Sequence, residues 1–425
     1  MPEKRSLLAT IRSVGPAIVI AAVVLGPGSI FASSQVGAIF GYSAVWVLVV
    51  AIILLIAMVR VAAHVGIVHE KTPCQEIAGR IGKKTAAAIG VTLFLIIACY
   101  QTSNNAAVTA AIEPLFSSDA QLPDWAPVAA VIGVNVIALL ALYGFRALYA
   151  RIELIMKGLV LVMILAFLTN AIAAAPSLLK TLGGLIPLPP QPGYDVEDPY
   201  IRLQALIATT FSVAAAFYQA YLVRERGWTL SDCDKVRRDS AFGIFVLGAM
   251  SLLIMITSAA VFHGLDKPPE LGTATDVARQ LEPLFGSWAK VIFGLGIFAA
   301  ALSSFLVNAM IGGCVLSDAL GLGSRVGDRW PRHLTALALI LSMGVALYTA
   351  TTGVKVVQII TFAQALTVVG VPALAFALIY LATRPELSGE RKLDRNTIAL
   401  AYLGAAVAVV LALRTAVKVI ASFFQ

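Results

Sequence analysis

Four residues, Gly26-Pro27-Gly28-Ser29, interrupt an apolar run in which a lipid-facing helix has no use for them. Proline removes a backbone donor and clashes with the preceding turn. The two glycines permit conformations that a helix does not use. Inside a membrane, irregular backbone survives only where protein or a water-filled cavity satisfies it. Transporters built from inverted repeats bind their cargo at such breaks. A plain proline kink is the competing reading of the motif.

Other polar residues lie within apolar runs and share the same chemistry. Ser33, Ser34 and Gln35 follow the break, and Tyr100-Gln101-Thr102-Ser103-Asn104-Asn105 form a polar block further on. Six consecutive residues cover every face of a helix, so some of this block must point inward. Thr209, Thr210, Ser212, Tyr218, Gln219 and Tyr221 make a third group. Ser303, Ser304 and Asn308 make a fourth, and Gln358, Thr361 and Gln364 a fifth. The candidate binding set is Gly26, Pro27, Gly28, Ser29, Ser33, Gln101, Asn104, Thr209, Ser212, Gln219 and Gln364. Hydroxyls, amides and free backbone groups can hydrogen-bond a small solute; the competing role is interhelical hydrogen bonding. No nucleophile–base pair is evident, so an enzyme is not expected. The four His and four Cys are dispersed, and no cofactor, metal cluster or disulfide framework is expected. Lys157 is the one coupling candidate, with snorkelling to the interface as its competing role.

The elements that position these residues must be membrane spans. Apolar residues make up 59% of the chain and charged residues 13%, where a soluble domain carries about a quarter charged residues. The mean hydropathy is +0.89. A span needs roughly 20 mostly apolar residues. Eleven candidates fall near 14–40, 43–63, 86–113, 126–145, 154–175, 202–223, 240–263, 286–317, 333–350, 355–382 and 397–422. Basic residues gather in alternate loops, as in Lys71 to Lys84, Arg224 to Arg238 and Arg384 to Arg395. That alternation places the N-terminus in the cytoplasm and the C-terminus outside. It also accounts for the net charge of +8 without nucleic acid. The opening residues run into an apolar segment with no small-residue cleavage site, so no removable signal peptide is expected. The expectation is a monomeric, all-α, multi-pass protein of the cell membrane with the lipid bilayer as its surroundings.

The chain opens with Gly15-Pro16-Ala17, Gly26-Pro27-Gly28-Ser29-Ile30-Phe31-Ala32, Gly37-Ala38, Gly41-Tyr42 and Trp46. Gly144, Arg146, Leu148 and Glu153, then Ala259 to Gly264, Ala301-Leu302-Ser303-Ser304 and Gly312-Gly313 follow. In this order the motifs resemble the Nramp family of divalent-metal transporters. The resemblance implies a bacterial inner-membrane transporter with two inverted five-helix repeats, at about 14–175 and 202–382, in one transmembrane domain spanning 1–425. An extra helix lies near 397–422. It further implies broken first and sixth helices and coupling to protons. Span six has no Gly or Pro between Leu206 and Gly227, so its break is left open by the sequence.

The family's metal-binding residues are not carried over. Its first-helix Asp-Pro-Gly-Asn stands here as Gly26-Pro27-Gly28-Ser29. The family's sixth-helix methionine aligns with Ser212, its nearby histidines with Ala214 and Gln219, and its third-helix acids with Gln101 and Asn104. A dication held in low dielectric must recover a large hydration energy. Hard cations want carboxylate or carbonyl oxygens, and softer ones accept thioether or imidazole. The expected cargo is therefore a small organic solute such as a carboxylate, moved by alternating access with H⁺ or Na⁺ as a possible coupling ion. A divalent cation (manganese, iron or hydrated magnesium) and a non-transporting sensor are the alternatives.

Overall fold

The computed structural model describes residues 26–112, 125–144, 146–267, 271–325, 327–350 and 355–422. Gly15-Pro16-Ala17 and the first half of span one lie outside them. The first described helix, α1 (Pro27–Phe40), begins where Gly26 is extended, at φ −83° and ψ 175°. Proline stands at its first helical position, where a missing N–H costs nothing and the fixed φ suits the helix. Every residue of α1 is buried, so this half-span faces protein and not lipid.

The chain then runs through α2 (Val45–Val68), α3 (Pro73–Arg80), α4 (Lys83–Ile112), α5 (Trp125–Tyr143) and α6 (Arg146–Ala174). The second set begins with α7 (Pro199–Thr210) and α8 (Val213–Glu225), followed by α9 (Cys233–Phe262), α10 (Ala289–Ala319) and α11 (Arg329–Ala350). α12 (Val356–Thr367) and α13 (Val371–Ala382) share one span through a 3₁₀ turn at Val368–Gly370, and α14 (Arg395–Ser422) ends the chain. Nine stretches among the described residues are long and apolar enough to cross a membrane. One of them, Pro27–Val68, holds both α1 and α2. With α6, whose apolar part Leu161–Ala174 is shorter, the described part of each of the eleven spans expected from sequence coincides with helix.

Span six is broken as well. α7 stops at Thr210, Phe211 adopts φ −84° and ψ 59°, and Ser212 adopts φ −76° and ψ 85° before α8 starts. Span six is thus discontinuous, and α1 starts at Pro27 after an extended Gly26; discontinuous helices line the binding sites of inverted-repeat transporters. No Gly or Pro drives the second break. The Tyr100 hydroxyl of α4 donates to the Ala208 carbonyl at 3.3 Å and lies 3.3 Å from Ser212 Oγ. The Thr209 hydroxyl donates to the Leu206 carbonyl at 3.0 Å. Backbone acceptors near the break thus find partners in side chains.

Two sets of contacts hold α1 in place. α9 packs along it, with Gly37 against the Met255 carbonyl, and Ser258 Oγ donates to the Ser34 carbonyl at 2.6 Å. Ser34 Oγ also pairs with the Gln280 amide, 2.9 Å from its Nε2. At the end of α1, Gly41 has φ +56°, and the His263 ring fills the space where its Cβ would stand. α14 packs on α2 and α13 and is tied to span six by Arg414, which meets Asp198 at 2.6 Å and Gln204 at 2.9 Å. Large apolar side chains of α6 and α14, among them Leu161, Ile172, Val410 and Leu413, are exposed and form lipid-facing surface.

A Cβ at Gly37 would collide with the Met255 carbonyl oxygen. Gly37→Val is therefore expected to push α1 off α9 and destabilise the protein by about 1–3 kcal/mol. Thermal unfolding of the purified variant in detergent checks this, and a wild-type midpoint would contradict it.

Candidate substrate site between two helix breaks

The two breaks face one another across a cavity of about 30 Å³. Gly26, Gly28 and Ser29 line it from the start of α1, and Thr209 and Ser212 from the break in span six. Tyr100 and Asn104 of α4, Asn308 of α10 and Gln364 of α12 complete the wall. No lining side chain carries a charge. The N-termini of α1 and α8 both end here, as does the C-terminus of α7. Helix N-termini present unpaired N–H groups and partial positive charge, and C-termini the reverse. Among the described residues, two positive poles and one negative pole meet at the cavity.

The polar block on α4 is divided among its neighbours by helical phase. Tyr100 and Asn104 face the cavity. Gln101 turns toward α10, donating to the Phe305 carbonyl at 2.8 Å and accepting from Asn104 Nδ2 at 2.7 Å. Ser304 Oγ reaches Asn104 Oδ1 at 3.4 Å. Ser103 meets the Gln364 amide at 2.9 Å, which leaves one end of that amide without a partner among the described residues. Asn105 binds Ser342 Oγ at 3.3 Å and accepts from Asn135 at 2.7 Å. A continuous chain of neutral amides and hydroxyls thus runs from the cavity to α5 and α11.

Seven of the sequence candidates line this cavity: Gly26, Gly28, Ser29, Asn104, Thr209, Ser212 and Gln364. Pro27 is buried at the first turn of α1, and Ser33 is buried one turn further along with no partner for its hydroxyl among the described residues. Gln101 supports Asn104 from behind the wall. Gln219 is fully buried on α8, away from the cavity lining, and its amide has no partner among the described residues. The side chain of Lys157 lies outside the described residues. Tyr100 and Asn308 line the cavity although the sequence analysis leaves them out of its set. Tyr100 opens the polar block, and Asn308 follows Ser304 by four residues on one helical face. Those spacings are the signal that points to both.

Two larger cavities flank the site at opposite ends of the bundle. One of about 1020 Å³ is lined by Tyr218, Tyr221 and Arg224 of α8, by Leu306 and Met310 of α10, and by Asp328. The other, about 780 Å³, lies between the ends of α1 and α6 near Tyr42, Gly184 and His263. The small cavity shares no lining residue with either of them.

A family model described as natural resistance-associated macrophage protein-like matches residues 17–418. The chain belongs to the Nramp family. The divalent metal cation transporter MntH of Aeromonas hydrophila is 25% identical over 384 residues, covering 88% of each chain. MntH of Yersinia pestis is 26% identical over 381 residues, covering 88% of this chain and 87% of its own. Among solved structures, the manganese transporter of Eremococcus coleocola has a TM-score of 0.78 at 20% identity, covering all of this chain and 90% of its own. The nucleobase-cation-symport-1 transporter Mhp1, in a closed conformation with bromovinylhydantoin bound, has a TM-score of 0.55 at 13% identity, covering 96% of this chain and 93% of its own. These likenesses establish the fold. This Nramp chain is a multi-pass membrane transporter.

A Cβ on Gly28 would overlap the Gln364 amide. Gly28→Val is expected to displace that amide from Ser103, fill the cavity and abolish transport while the protein still folds. Transport assays in liposomes beside a thermal-unfolding control check it. Retained transport would remove Gly28 from the cargo path.

Proposed function

We propose that this Nramp-family transporter moves a small organic solute bearing a carboxylate, by alternating access around the cavity between the two breaks. One observation carries the reading. The cavity is lined by backbone, hydroxyl, phenol and amide groups, with no carboxylate, imidazole or thioether among them. Among the described residues no group of three His, Cys, Asp or Glu could hold a metal ion. Among the described residues a stripped dication would meet two positive helix poles, one negative pole and no charged side chain. A carboxylate meets N–H groups and hydroxyls that hydrogen-bond it directly. The cavity has room for about two water-sized groups, which matches the two oxygens of one carboxylate and is too small for a cation with a full shell of water.

The names of the relatives favour a second reading, transport of a divalent cation. In this site the cation would have to shed part of its water, and the neutral amides and hydroxyls would accept hydrogen bonds from the water it keeps. Magnesium suits this best, because it gives up water reluctantly and keeps several ligands as water. In both readings the end of the bundle bearing Arg224, Arg325 and Arg384 faces the cytoplasm, following the positive-inside rule.

Thermal stabilisation of the purified protein separates the two. Small carboxylates, sugars, amino acids, manganese and magnesium are the probes. A carboxylate is expected to stabilise, by about 2.7 kcal/mol at 100 times its dissociation constant. Gly26→Asp, which places a negative charge against it, should abolish the effect. Stabilisation by manganese or magnesium that disappears in Ser29→Ala, without any organic ligand, would establish the cation reading instead.

A further inference from the structure

Asp318 is the one buried carboxylate among the described residues, at 2% exposure near the end of α10. It is held by donors from two helices. Tyr221 on α8 donates to Oδ2 at 2.7 Å. Gln75 on α3 donates to Oδ1 at 3.0 Å. Thr72, Tyr221 and Arg224 line the larger vestibule, so Asp318 lies one side chain behind its wall. Nothing in the central site uses it. An ionisable side chain buried in a membrane protein is expensive to keep and marks an ion or proton path by default.

Its position links it to the central site mechanically. α8 carries Ser212 at one end and Tyr221 nine residues later, and α10 carries Asn308 ten residues before Asp318. At 1.5 Å per residue, both helices span about 14–15 Å between the cavity wall and this carboxylate. Arg224 binds the His69 and Glu70 carbonyls, so α8 is tied to the 69–76 segment twice, directly and through Asp318. A carboxylate accepts all these donors together, whereas the carboxylic acid loses charge-assisted bonds and must itself donate a proton.

We propose that Asp318 is a proton-binding site of the transporter, and that its protonation from the vestibule releases α8 from α3 and α10. Among the described residues the ionisable groups around it are Tyr218, Tyr221, Arg224 and Glu225 on α8, His69, Cys74 and Glu76 on the 69–76 segment, Cys314 on α10, and Arg325 and Asp328 across the vestibule. His69 Nδ1 lies 3.8 Å from Glu76 Oε2, so a pH response must be assigned by substitution and not by its midpoint. In inverted-repeat transporters one repeat or bundle rocks against the other, and α8 is the half-helix that joins Asp318 to the central cavity.

The test is hydrogen–deuterium exchange of segment 213–225 in the full-length protein without cargo, between about pH 5 and 8, corrected for intrinsic exchange. Wild-type protein should show a one-proton rise in exchange as pH falls. Asp318→Asn should lose that pH dependence and exchange at the low-pH level throughout, while Asp318→Glu should keep it. A flat wild-type profile, or a wild-type profile in Asp318→Asn, overturns the proposal. Should Asp318→Asn fail to fold, Tyr221→Phe keeps the ring and removes one donor to a charged group. It should move the midpoint by about one pH unit, and an unmoved midpoint overturns the proposal equally. No cargo is present in the measurement, so its failure leaves the reading of the central cavity intact.

Discussion

The structure depends on one constraint: a backbone group unwound inside a bilayer must find a partner within the protein. The break at Gly26 meets it by starting α1 on a proline and burying every residue that follows. The break at Phe211–Ser212 meets it with borrowed side chains, chiefly the Tyr100 hydroxyl placed against Ala208 and Ser212. Both breaks line one small cavity, and α4 and α10 supply the side chains that complete its wall.

This accounts for what was legible in the sequence. The apolar runs and the alternation of basic loops disclosed the spans, because both signals are imposed by the bilayer and act locally along the chain. Gly-Pro-Gly disclosed the first break for the same reason, since proline and glycine act on their own backbone. The second break left no such mark. Its support comes from Tyr100, 108 residues earlier in the chain, and a partner at that distance is invisible to any local pattern.

Helical phase explains the rest of the difference. Gln101 and Asn104 lie in the same polar block, yet a small rotation about α4 decides that Asn104 faces the cavity and Gln101 the Phe305 carbonyl. Gln219 has the right chemistry on the right half-helix but stands seven residues, about two turns, beyond Ser212 and outside the cavity lining. Asp318 stood unremarked because a lone acid at the end of a span reads as an interfacial residue. Its burial is created by α3 and α8 folding over it, a tertiary event that no span count contains.

Charge decides what such a site can hold. In a neutral cavity the helix poles become the largest fixed field, and here two of the three described poles are positive. Restoring a single carboxylate at Gly26 would reverse that balance without moving any helix, because the position is already extended and the turn is already built around Pro27. Backbone and charge are therefore separable within four residues: Pro27 starts the helix after an extended Gly26, while positions 26 and 29 both line the cavity.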